Sequence, residues 1–164
     1  MKSLKSNRIY LLLTAIILTL ILSACSFNSG KEVQNYVSGV NDNIHEAVNL
    51  TRKLREIQKD INTRNTDDAK SYNSLLSDLA DVYSNLIELE PVESYNDIDR
   101  EIKEHSQITL TAVSQLQSLI TASINTNDDT LYCNECDEIM KKYDESYFRL
   151  VELDSETQTR FRNG

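Results

Sequence analysis

Between Gly39 and Gly164 a single residue, Pro91, forbids a helix from continuing. The whole chain of 164 residues holds three glycines and one proline. That is too little turn chemistry for a many-turned all-β fold. It also leaves no room for Gly-rich phosphate loops, and neither G-x-x-x-x-G-K-[ST] nor G-x-G-x-x-G occurs. No stretch of β-branched residues alternates for long, no fixed-period repeat appears, and no tract is of low complexity. The expected fold class is all-α.

Apolar and small residues recur at steps of three and four, the spacing that keeps one helix face turned to a partner. Four such stripes can be traced. Ser29-x-x-Glu32 reads as a capping box, followed by Val33, Val37, Val40, Ile44, Ala47, Thr51, Leu54 and Ile61, with an end expected near Asn62–Asn65. Thr66, with Asp67 and Asp68 at the positive end of the helix dipole, opens a second helix. Its stripe is Tyr72, Leu75/Leu76, Leu79, Val82/Tyr83, Leu86 and Leu89, and Pro91 stops it. Ser94-x-x-Asp97 opens a third, lined by Ile98, Ile102, His105, Thr109, Ala112, Leu116, Leu119/Ile120 and Ser123. A fourth follows Thr126 to Asp129, with Tyr132, Cys136, Ile139, Tyr143, Ser146/Tyr147, Leu150 and Leu153. Short connections favour antiparallel neighbours. An antiparallel bundle of about four long helices is the expected architecture, over residues 30–156, with 157–164 as a C-terminal tail. A three-helix core with a docked fourth helix is the structural alternative.

The first 25 residues are of another kind. Lys2, Lys5 and Arg8 precede the apolar run Ile9 to Leu22. A basic head, a short apolar stretch and a small-residue exit make a secretory signal. The run falls short of the roughly 20 residues that cross a bilayer core. At the exit, Leu22-Ser23-Ala24-Cys25 resembles the bacterial lipobox. The resemblance implies diacylglycerol on the Cys25 sulfur and cleavage before it. Residues 1–24 would then be a lipoprotein signal peptide, and 25–29 a short tether holding the bundle near the membrane surface. Each buried methylene contributes about 0.8 kcal/mol, so two acyl chains anchor stably where one does not. The alternatives are a secretory signal with an incidental cysteine, or an uncleaved helix.

Loss of residues 1–24 would remove three of the 17 basic residues and none of the 26 acidic ones, leaving a formal charge of −12. Such a surface repels phosphate backbones and anionic headgroups, so nucleic acid is excluded as an expected partner.

Few residues offer chemistry. Cys133-x-x-Cys136 is the most suggestive pair, since disulfides persist outside the membrane, and a disulfide between the two is possible. A thiol-redox role is the alternative function. It would want the pair at a helix N-terminus, whereas Glu135, Asp137 and Glu138 surround these cysteines and no βαβ context is present. His45 and His105 lie on different helices without paired spacing, so no metal site or cofactor is expected. His45 is expected to be exposed, and His105 partly buried and bonded to a neighbour. Glu88/Glu90 and Asp97/Asp99/Glu101 are spaced by two, pointing apart on a helix, and read as solvated faces. Tyr132, Tyr143 and Tyr147 read as core or rim.

The corner "LIELEPVESYNDIDREI", residues 86–102, resembles uncharacterised small helical lipoproteins of Gram-positive bacteria, which have a leucine-rich helix, a proline corner and an Asp-Ile helix start. The chain departs from them at Val92, where those proteins carry a second proline. The resemblance implies a lipid-anchored helical protein and carries over no catalytic residue. The expectation is therefore a non-enzymatic protein, anchored to the membrane through Cys25 on its extracytoplasmic face, that binds an envelope protein or a small ligand.

Overall fold

The computed structural model describes residues 3–59, 66–126 and 129–163, with side chains over 30–59, 67–126 and 135–163. Four α-helices follow one another: α1 (Ser3–Gln58), α2 (Thr66–Glu88), α3 (Asn96–Thr126) and α4 (Asp129–Asn163), with a 3₁₀ turn at Glu93–Tyr95. Among the described residues there is no strand. The chain divides into two compact units, Met1–Asn35 and Tyr36–Gly164.

The first unit contains the N-terminal part of α1. The helix passes through Ser29 and Gly30 without a break, so the expected start at Ser29 is an interior position. A glycine inside a helix costs about 1 kcal/mol relative to alanine, which is not enough to break one.

The second unit is an all-α bundle. Antiparallel order follows from its cross-links: Asn41 of α1 meets Gln158 of α4 near one end, while Gln58 of α1 meets Cys136 of α4 near the other. α3 runs against α4 likewise, with Asp97 on Arg160 and Glu101 on Arg149. The core is built from the four stripes. Val37, Val40, Ile44, Ala47, Thr51 and Leu54 of α1 are buried, as are Tyr72, Leu76, Leu79, Val82, Tyr83 and Leu86 of α2. The expected stripes of α3 and α4 are buried too, apart from His105 and Ile139, which are half-buried. Val33, Leu75 and Leu89 are also half-buried, while Ile61 and the Tyr132 side chain lie outside what is described. Tyr36, Leu50, Ala69 and Tyr95 join the core as well.

The corner at Pro91 is short because its backbone is already turned. Val92 is extended at φ −103° and ψ 136°, and Tyr95 N donates to Val92 O at 2.7 Å. Asp97 and Asp99 then sit in the first turn of α3, where the dipole favours them. Here α1 comes close: a Cβ on Gly39 would lie 2.9 Å from Leu89 Cδ2, so a larger residue there would have to push the end of the Leu89 side chain aside. At the other terminus, the expected tail is helical to Asn163. Thr157 is fully buried and hydrogen-bonds Leu153 O, while Arg160 reaches back to Asp97 and Ser94 O. A polar residue extends the buried stripe beyond its last leucine.

Candidate functional site

The polar interior centres on three hydroxyls from three helices. Tyr143 Oη of α4 lies 2.5 Å from Thr51 Oγ1 of α1 and 2.7 Å from Tyr83 Oη of α2. All three residues are buried. The Tyr83 and Tyr143 rings meet edge to face at 6.1 Å, and Tyr147 stacks on Tyr143 at 5.9 Å. Both shapes are favourable for aromatic pairs. Burial pushes the Tyr83 phenol well above its ordinary range. The same burial pushes Tyr143 up to about 12, although bonds from Thr51 and Tyr83 hold it back. Both phenols are therefore neutral at physiological pH. A neutral, mutually bonded hydroxyl chain has no base to offer; its chemistry is that of a structural fastener joining α1, α2 and α4.

Above this chain, Arg55 pairs with Asp144 at 2.6 Å and lies over the rings of Tyr147 and Phe148. Phe148 is 53% exposed. At the opposite end, Tyr36 Oη donates to the buried Asp99 carboxylate at 3.3 Å, and Lys103 pairs with that carboxylate at 3.1 Å. Burial, followed by the Asp99 charge, raises the Tyr36 phenol well above its usual range.

The structure places the sequence candidates as follows. Cys25 and Cys133 lie outside the residues whose side chains are described. Cys136 is buried in α4 and its sulfur accepts a hydrogen bond from Gln58 Nε2 at 3.1 Å. His45 is exposed on α1. His105 is half-buried on α3, but among the described residues its Nδ1 has no hydrogen-bond partner, contrary to the expected bonded neighbour. The two histidines are not brought together, and among the described residues no three His, Cys, Asp or Glu side chains converge to hold a metal.

The carboxylates of α3 do more than face solvent. Asp97 takes both terminal nitrogens of Arg160, at 2.7 and 2.8 Å. Those bonds hold its carboxyl well below the ordinary carboxylate range. Glu101 binds Arg149, which depresses its carboxyl in turn, and Arg149 also gathers Glu152 and Glu156. The i,i+2 spacing aims successive acids at different neighbours: Asp97 and Glu101 face α4, while Asp99 turns inward.

Open grooves lie on the surface of the described residues, three of them as follows. Two run along the α3/α4 seam, about 780 and 440 Å³ in volume, and share Thr111, Gln115 and Lys142. The third, about 570 Å³, lies between α1 and α2, beside Lys53, Ile57, Lys70 and Leu75. Among the residues whose side chains are described, no helix is long and apolar enough to cross a membrane. Comparison with family models, with curated proteins and with solved structures finds no match to this chain.

Proposed function

We propose that this protein is a lipid-anchored helical bundle on the extracytoplasmic face of a bacterial membrane, with a binding rather than a catalytic role. The observation that carries this reading is the tetrapeptide Leu22-Ser23-Ala24-Cys25, placed directly after a basic head and an apolar run. The interior supports the second half of it. Its phenols bond one another, and the acids of the α3 start are engaged by Arg149, Arg160 and Lys103. Groups committed to holding helices together are poorly placed to act on a substrate. The open grooves leave surface for a partner.

The test is intact-mass spectrometry of the protein extracted from bacterial membranes. The expected species begins at Cys25 and carries a diacylglycerol, while Cys25→Ser retains residues 1–24 and gains no lipid. A wild-type chain that keeps residues 1–24, or a mature chain without glyceride, overturns the anchor. Turnover of a substrate by the purified protein, abolished by one side-chain change, overturns the non-catalytic role.

A further inference from the structure

The binding role leaves Cys133-x-x-Cys136 without a task. α4 begins at Asp129, so Cys133 is its fifth residue and the pair lies inside the helix, one turn apart. Residues three apart on a helix hold their Cβ atoms about 5–6 Å from each other. A disulfide draws them to about 3.5–4.5 Å. At a helix start the first cysteine can stand outside the helix and swing inward. In the second turn of α4 that freedom is missing, and the shortfall of about 1–2 Å is made up by loosening the turn.

The Cys136 end is held in the opposite sense. Its side chain is buried, and its sulfur accepts a hydrogen bond from Gln58 Nε2 at 3.1 Å. The sulfur is thus turned across the bundle towards α1 rather than along its own helix. Gln58 is the last residue of α1, so this bond ties the end of that helix to α4. To join Cys133, the sulfur has to leave Gln58. The undistorted turn with its bond to α1 and the disulfide exclude each other.

We infer that Cys133 and Cys136 form a redox switch that sets the shape of the larger α3/α4 groove. In the dithiol form, α4 is helical through both residues and latched to Gln58. In the disulfide form, the turn from 133 to 136 loosens and the latch to α1 opens. Glu135 belongs to that turn, and Glu135, Glu138 and Ile139 form the α4 wall of the 780 Å³ groove, facing Thr111, Ser118 and Leu119 of α3. Oxidation therefore moves one wall of a surface open to a partner. The chemistry is disulfide exchange: a thiolate of the pair attacks a low-molecular-weight disulfide and expels one thiol. The second cysteine then attacks the mixed disulfide and expels the other. One S–S bond forms in the protein, one is lost from the reagent, and two electrons pass to the reagent. The groove's task rests on the binding role proposed above, and persistence of the disulfide in the cell on the extracytoplasmic location. The switch itself rests on neither.

The experiment uses the full chain, purified in detergent and equilibrated with reduced or oxidised glutathione. Intact mass reads the disulfide as a loss of two hydrogens, and peptide mapping places it. Amide exchange then compares the two forms. Oxidation is expected to speed exchange at 133–140 and at 54–58 roughly fivefold or more, as loss of a hydrogen bond would. Leu79 and Leu150 should keep their protection. Cys133→Ser retains the bond from Gln58 and should show no response to the oxidant. Gln58→Leu should speed exchange at the end of α1 without any oxidant. A pair that stays reduced in oxidised glutathione overturns the switch, as does bonding only to Cys25 or only between chains. A Cys133–Cys136 bond that leaves exchange in both segments unchanged overturns it too. Closure with unlatching on a chain that carries no lipid supports the switch and defeats only the anchor.

Discussion

Tyr143 is the one residue on which both other members of the buried hydroxyl chain depend. Tyr143→Phe keeps the ring stacked on Tyr147 but takes away the hydroxyl that Thr51 Oγ1 and Tyr83 Oη both bond. Stranding buried polar groups costs about 1–3 kcal/mol, and the expected loss of that size is measured by urea unfolding. Thr51→Val in the same background should recover part of it by removing one stranded hydroxyl. The same cluster sets the alkaline limit. A phenol whose folded pKa lies above its unfolded value of 10.0 binds more protons in the folded state. Its contribution is complete below pH 10 and lost as pH rises towards 12. For Tyr143 alone the loss is roughly 3 kcal/mol. Unfolding midpoints followed from pH 9 to 12 should fall, and Tyr143→Phe should flatten the fall. Ser123 of α3 is the opposite case: its hydroxyl is buried with no hydrogen-bond partner among the described residues. Ser123→Ala should raise stability by about 1 kcal/mol, from the lost desolvation and the better helix former. Each of Thr51, Tyr83 and Tyr143 stands on a stripe legible in the sequence. Their convergence is not legible, because it depends on the axial register of three helices, which hydrophobic spacing does not encode.

At the scale of the helices, most of the architecture could be read in advance. Asp67 and Asp68 mark the start of α2, Pro91 ends it, and α4 opens at Asp129. Sequence reasoning fails where a weak local signal meets a stronger tertiary one. Ser29-x-x-Glu32 has a capping pattern, but the helix runs through it from a leucine-rich stretch a few residues earlier. Residues 157–163 look like a polar tail because Leu153 is the last leucine of the stripe. Thr157 packs in the core instead, and Arg160 clamps Asp97, donates to Ser94 O and lies over the Tyr95 ring at 5.4 Å. Arg160→Gln should therefore fray the last two turns of α4, with amide exchange at 158–163 accelerating while Leu150 stays protected. Because Arg160 holds the Asp97 carboxyl down, the clamp is complete above the ordinary Asp range and weakens as pH falls below it. Corrected for the intrinsic pH dependence of amide exchange, protection of that segment should fall on acidification in the wild type and change little in Arg160→Gln.

For the molecule as a whole, an excess of 26 acidic over 17 basic residues makes the folded state self-repelling. Salt screens that repulsion at the Debye length of about 8–10 Å typical of 0.1–0.15 M. Exposed pairs such as Arg52–Glu56 contribute little to begin with. Raising salt from 10 to 150 mM should thus increase Tm by a few degrees, about what 1 kcal/mol gives a domain of this size. A decrease would show that the ion pairs, above all the Arg149 cluster, outweigh the net charge. The anchor proposed at Cys25 belongs to this scale as well: it rests on sequence alone, on a cysteine placed after an apolar run, and lies outside the residues whose side chains are described. The even number of antiparallel helices has a practical outcome. Asn41 and Gln158 are neighbours, so the bundle receives its chain and releases it at one end. A fluorescent protein fused after Gly164 would crowd the entry point of α1, whereas a reporter spliced between α1 and α2 would hang from the opposite pole and leave that entry clear.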